Sequence, residues 1–115
     1  MISEVNVEEL ESLLDGGAEL FDVRMPDEFE QAHVPTARLI PLPSLPERLG
    51  DFPDDATVYV ICKSGGRSMK ACEFLESQGY SAVNVSGGTD AWIESGRATD
   101  SGASSGSDEP GSTPG

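Results

Sequence analysis

Thr57-Val58-Tyr59-Val60-Ile61-Cys62, continued by Lys63-Ser64-Gly65-Gly66-Arg67-Ser68, is the stretch that decides how this chain folds. The first five residues are β-branched or aromatic and read as a buried strand. The paired glycines then allow a tight turn with its amides pointing inward, the geometry of an anion-binding nest. From Ser68 to Gln78 the pattern becomes helical, with Ala71, Phe74 and Leu75 on one face and Gly79 as the stop. Strand, cradle and helix follow one another directly. A cysteine at the mouth of the cradle feels those amides and about +0.5 charge from the helix N-terminus, so its thiol is expected below the free value of about 8.5. Cys62 is therefore the candidate nucleophile, and Lys63, Ser64, Gly65, Gly66, Arg67 and Ser68 form the candidate substrate-binding loop.

The same alternation runs outward in both directions. Upstream, Met1 to Val5 reads as a short strand, and Asn6 with Glu9 makes a capping-box start for a helix whose apolar face is Leu10, Leu13 and Leu14. Gly16-Gly17 ends it, and Glu19-Leu20-Phe21-Asp22-Val23 is the next strand. Pro26 opens a brief helix with Phe29 inward, His33 to Ala37 is a turn, and Arg38-Leu39-Ile40 a short strand. Pro41, Pro43 and Pro46 restrict the next segment to loop and a helical turn or two, closing near Glu47 to Leu49. Downstream, Ala82-Val83-Asn84-Val85 is a strand, and Gly87-Gly88 leads into a last helix that carries Ala91, Trp92 and Ile93 and stops at Gly96. Strands alternating with helices predict an α/β fold, a mainly parallel sheet covered on both faces in three α/β/α layers. From residue 98 the chain turns to Ser, Gly, Thr, Pro and acidic residues, so 1–97 is expected as one domain and 98–115 as a disordered tail.

Composition narrows the function classes. Lys+Arg number 7 against 21 Asp+Glu, a formal charge of −14 that repels nucleic acid and anionic membrane surfaces. Both lysines, Lys63 and Lys70, lie in or just after the glycine loop, so positive charge is expected to gather there. A lysine-poor acidic surface also suits a high-salt cytoplasm, where the Debye length shrinks to about 3 Å at 1 M. The chain has no apolar stretch of membrane length, and Met1-Ile2-Ser3-Glu4 lacks a secretory pattern. A cytoplasmic protein is expected. Two cysteines, Cys62 and Cys72, with no CxxC pair or Cys/His grouping, predict neither a disulfide scaffold nor a metal site, and no cofactor motif is present. Cys72, beside Ala71 on the helix, is expected to fill core.

Asp22-Val23-Arg24 with Glu28-Phe29, His33-Val34-Pro35-Thr36-Ala37, Ile40-Pro41-Leu42, the Cys62–Ser68 loop, and Gly87-Gly88-Thr89-Asp90-Ala91-Trp92 together resemble a single-domain rhodanese, from residue 5 to 97. The resemblance implies a sheet of about five parallel strands with flanking helices and a sulfurtransferase activity. Cys62 would take the outer sulfur of a donor such as thiosulfate as a persulfide, and cyanide or a thiol acceptor would remove it. The loop amides would hold the charged outer sulfur, and Lys63 and Arg67 would draw in an anionic donor. Four residues stand between Cys62 and Arg67, as in rhodaneses, whereas the similar cell-cycle phosphatases and some arsenate reductases carry one more. That ring length favours sulfur over phosphate or arsenate.

Two other readings stay open at this point. The domain could be a relay taking persulfide from a protein donor and handing it to cofactor or tRNA thiolation machinery, with the short loop leaving Cys62 accessible and a thioredoxin-like or sulfur-carrier protein as a candidate partner, or a non-catalytic binding or redox-sensing module. Around the site, Arg24 is expected to pair with Glu28, Asp22 to line the site without reacting, His33 to stabilise its turn, and Trp92 to pack in the core. Thr36 stands where the family's Gly-His-Ile-Pro-Gly-Ala pattern has glycine, which predicts a changed turn.

Overall fold

The computed structural model describes residues 1–103. Its elements run β1 (Ser3–Val5), α1 (Val7–Asp15), β2 (Glu19–Asp22), α2 (Pro26–Gln31), β3 (Arg38–Leu39), two 3-10 turns (Leu42–Glu47 and Leu49–Asp51), β4 (Val58–Ile61), α3 (Gly66–Ser77), β5 (Ala82–Val85) and α4 (Gly88–Glu94). The five strands form one parallel sheet in the order β1-β5-β4-β2-β3. This is the three-layer α/β arrangement the alternation predicted.

Period-2 side-chain alternation builds the two covering layers. Phe21, Val58 and Val60 point to the face under α3 and the 3-10 turns, where they meet Leu45, Phe52, Ala71 and Leu75. Leu20, Ile61 and Val85 point to the other, where Leu10 of α1, Phe29 of α2 and Trp92 of α4 close over them. Complete burial of one such large side chain stabilises the fold by about 1.5–3 kcal/mol. Cys72 is fully buried in the first cluster, and burial pushes its thiol up to about 12.

Local signals act as the sequence indicated. The Asn6 carboxamide accepts from the Glu9 amide at 2.8 Å, and the Glu9 carboxylate accepts from the Asn6 amide at 2.9 Å, a complete capping box on α1. Helix α3 starts at Gly66 rather than Ser68, because Gly65 takes a left-handed conformation (φ 119°) and turns the chain into the helix there. Thr36 has φ 74°, the one positive value outside glycine among the described residues.

The stretch from residue 98 departs from expectation as far as Gly102. The Trp92 indole donates to the Ala98 carbonyl at 2.8 Å. His33 and Asp100 exchange two backbone hydrogen bonds of 2.9 Å as an antiparallel bridge, and the Gly102 amide donates to the Glu30 carbonyl at 2.8 Å. These bonds engage main-chain groups, so a composition without apolar residues did not preclude them. Residues 104–115 of the expected tail lie outside the described residues.

Candidate active site

The site forms where β4 ends and the 62–65 loop carries the chain into α3. A parallel sheet collects such strand-to-helix loops at its carboxyl edge, where β2 also delivers Asp22 and β5 delivers Gly87-Gly88. Sγ of Cys62 lies inside the loop, taking a hydrogen bond from the Gly65 amide at 3.1 Å and lying 3.2 Å from the Ser68 hydroxyl oxygen. Burial raises the thiol, but the Ser68 hydroxyl and the amides of Ser68, Gly65 and Ser64 lower it further, leaving Cys62 below the ordinary cysteine value. A stabilised thiolate is the chemical result.

Accessibility differs from what the short loop suggested. Cys62 is only 1 % exposed, while Lys63, Ser64 and Gly66 around it are open to solvent. The hydrogen bonds that lower the thiol also turn it inward, so the loop rather than the sulfur faces solvent.

Helix α4 fixes the loop from behind. The Thr89 amide and hydroxyl both donate to the Cys62 carbonyl, at 2.9 and 3.0 Å, and the Asp90 amide donates to the Lys63 carbonyl at 3.0 Å. Gly88 makes this approach possible: a Cβ there would lie 2.5 Å from the Lys63 carbonyl oxygen and 2.7 Å from that of Cys62. The Gly87-Gly88 turn expected from sequence is thus also a close-packing surface for the cysteine peptide.

The cations around the mouth are arranged differently from expectation. Arg24 does not pair with Glu28; it bonds Asp22 through both Nε and Nη2 in a buried pair and spends a further Nη2 bond on the Ala32 carbonyl. Glu28 instead grips Arg67 of the loop at 2.7 and 3.0 Å. Lys63 pairs with Asp90 at 2.9 Å. The two loop cations expected to draw in an anion are therefore each matched by a carboxylate. A groove of about 160 Å³ beside the loop has these same groups, Arg24, Glu28, Lys63 and Asp90, in its walls together with Thr89 and Ile93.

His33 belongs to the scaffold. Its Nδ1 lies 2.7 Å from the Phe29 carbonyl, which can only accept, so Nδ1 carries the proton. The imidazole stacks on the Phe29 ring at 3.7 Å. That is the turn-stabilising role expected of it. Among the described residues no group of His, Cys, Asp and Glu is disposed to hold a metal ion, and no helix is long and apolar enough to cross a membrane.

An open parallel α/β sheet with a cysteine seated in a short glycine loop between strand and helix defines a class of α/β domains that carry a thiol at the carboxyl edge of the sheet. Within it, residues 6–95 match the model of the Rhodanese-like domain, and the chain belongs to that family. It is 37% identical over 99 residues to a sulfurtransferase of Allochromatium vinosum, covering 84% of this chain and 92% of that protein. Among solved structures, a rhodanese-related protein from Thermoplasma volcanium superposes with a TM-score of 0.80 at 32% identity, covering 85% of this chain and 97% of the other. The human single-domain sulfurtransferase TSTD1 gives a TM-score of 0.73 at 31% identity, with 82% and 97% covered.

Proposed function

We propose that this protein transfers sulfane sulfur through a persulfide on Cys62, with the amides and side chains of residues 63–68 as the binding loop. The Cys62 thiolate attacks the outer sulfur of a donor such as thiosulfate; the new S–S bond forms as the old one breaks, and sulfite leaves with the electron pair. Cyanide or an acceptor thiolate then attacks the outer sulfur, and the electron pair returns to Cys62. The observation that carries this reading is the Cys62 Sγ held by the Gly65 amide and approached by the Ser68 hydroxyl in a loop with only four residues before Arg67. Inward amides that hold a thiolate can hold the terminal sulfur of a persulfide by the same means.

The pairing of Lys63 with Asp90 and of Arg67 with Glu28 favours one variant of this reading. With both loop cations matched, a small dianion gains little attraction, and a persulfide on a thioredoxin-like or sulfur-carrier protein becomes the stronger donor candidate. We place the chemistry in a reducing cytoplasm, in keeping with two free buried thiols, and one rich in salt, in keeping with the charge of −14.

Intact-mass spectrometry of wild type and Cys62→Ser after thiosulfate, then cyanide, in low and molar KCl tests the reading. One sulfur gained by wild type alone and removed by cyanide is the expected result. Loading from a small-molecule or protein persulfide but not from thiosulfate selects the relay; no loading from any of these leaves a non-catalytic module.

A further inference from the structure

Asn84 sits on β5 beside the loop, 1 % exposed, and ties three elements together. Its Nδ2 donates to the Glu4 carboxylate on β1 at 2.8 Å and reaches the Gly65 carbonyl at 3.4 Å. Its Oδ1 accepts a hydrogen bond from the Ser68 hydroxyl. The orientation of the amide follows from chemistry: an ionised carboxylate only accepts, so the NH2 group must face Glu4 and the carbonyl oxygen must face Ser68. The Ser68 hydroxyl owns one proton and has three acceptors in reach, Asn84 Oδ1, Cys62 Sγ at 3.2 Å and the Gly65 carbonyl at 3.2 Å. It can satisfy only one of them well.

We propose that Asn84, oriented by Glu4, is a positioning residue for the chemistry at Cys62: it competes with the sulfur for the Ser68 hydrogen bond and receives that bond again when charge leaves Sγ. The inference rests on Cys62 being the persulfide carrier. In the thiol form S–H points to Ser68 Oγ and the hydroxyl to Asn84. In the thiolate form the hydroxyl turns to Sγ, and Asn84 Oδ1 loses its donor. Once the sulfur has been loaded, the negative charge resides on the outer atom, the inner sulfur becomes a poor acceptor, and the hydroxyl returns to Asn84. Only hydrogen bonds exchange, with no net proton transfer. The amide thus raises the thiolate relative to the persulfide and favours loading.

The other charged or titratable groups around Cys62 are the Asp22–Arg24 pair at the end of β2, Arg67 with Glu28, Lys63 with Asp90, and Cys72 on α3. None of them is among the hydrogen-bond partners of Asn84, which are Ser68, Glu4 and Gly65. Glu4 is itself a charge, so its effect on the sulfur has an electrostatic part and a part transmitted through Asn84 and Ser68. A Ser68→Ala background separates the two.

The test is the Cys62 pKa, read from ultraviolet thiolate absorbance against pH in wild type, Asn84→Ala and Glu4→Ala, each with and without Ser68→Ala. With Ser68 present, Asn84→Ala is expected to lower the pKa by roughly half to one unit, the worth of one competing hydrogen bond. Glu4→Ala is expected to act in the same direction, since the freed amide can turn its NH2 toward Ser68 and leave the hydroxyl proton to sulfur. In the Ser68→Ala background the Asn84 effect vanishes and only the charge part of the Glu4 effect remains. A rise, no change, or a shift of the same size without Ser68 overturns the proposal, because a merely structural Asn84 would loosen the cradle and raise the thiol. Glu4 is exposed on an edge strand, so Glu4→Ala keeps the test decisive if Asn84→Ala folds poorly. The readout involves no sulfur transfer: failure of thiosulfate loading speaks against the proposed function, and an unmoved pKa speaks against the Asn84 role alone.

Discussion

The Glu28 carboxylate on α2 holds the Arg67 guanidinium on α3 through its two terminal nitrogens, Nη1 and Nη2, at 2.7 and 3.0 Å, across 39 positions of sequence. The Arg67 hydrogen bond dominates and outweighs the partial burial of Glu28, holding its carboxyl down at about 2. With side chains 37% and 29% exposed, the pair is screened enough that its contribution is about 1 kcal/mol. Glu28 binds fewer protons folded than unfolded, so this stability is present above the ordinary carboxylate value of 4.5 and is lost as pH falls through about 2. Glu28→Gln is expected to lose about 1 kcal/mol at neutral pH and to show no such loss near pH 2. Urea unfolding of both proteins across that range checks it.

The same substitution uncovers a cation at the mouth. If thiosulfate is a donor, Glu28→Gln is expected to lower its KM by about three- to tenfold at low ionic strength, and the gain should fade in molar KCl. Steady-state kinetics at the two salt levels decide this; a KM that rises would mean that Glu28 is needed to aim Arg67.

Helix and strand order was legible because each element carries its own period, and the 62–68 loop because its residues are contiguous. What escaped was pairing between distant segments. Arg24 lies four residues before Glu28 and looked like its partner, yet Asp22, on the same strand end, captures Arg24 and leaves Glu28 to Arg67. Asn84 gave no signal either, since an asparagine in a strand acquires meaning only when β5 is set between β1 and β4. The bridge from Asp100 to His33 uses backbone atoms, which side-chain composition does not encode.

Gly88 tests how tightly α4 fixes the Cys62 peptide. At φ 61°, with a Cβ placed 2.5 Å from the Lys63 carbonyl oxygen, an alanine must push away the backbone that Thr89 and Asp90 hold. Gly88→Ala is expected to cost about 2–4 kcal/mol through combined strain and lost hydrogen bonds. It should also raise the Cys62 pKa by misaligning the loop amides. Thermal unfolding and thiolate absorbance read the two effects; a mild stability loss with an unmoved thiol would mean that the loop holds its shape without α4.

The contacts of residues 98–102 predict a difference between two truncations. A chain ending at Arg97 loses the acceptor for the Trp92 indole and the three main-chain hydrogen bonds to His33 and Glu30. His33 is fully buried, so its freed amide and carbonyl are poorly placed to recover water. The 1–97 chain is expected to be about 2 kcal/mol less stable than the 1–103 chain, a fraction of the four bonds at about 1 kcal/mol each. Equal stabilities would mean that these bonds are replaced by water without loss.

Thr36 offers a gain rather than a loss. A β-branched residue at φ 74° carries a left-handed backbone that costs an L-residue about 1–2 kcal/mol and costs glycine almost nothing. Glycine also enlarges the entropy of the unfolded chain, which returns part of that gain. Thr36→Gly is therefore expected to stabilise the protein by about 0.5–1 kcal/mol and raise Tm by roughly 2–8 °C. Calorimetry on the two proteins checks it. The turn lies between α2 and β3, away from the loop hydrogen bonds on Cys62, so the thiol pKa should stay where it is. A lower Tm would show that what the threonine side chain contributes in place outweighs the strain of its backbone.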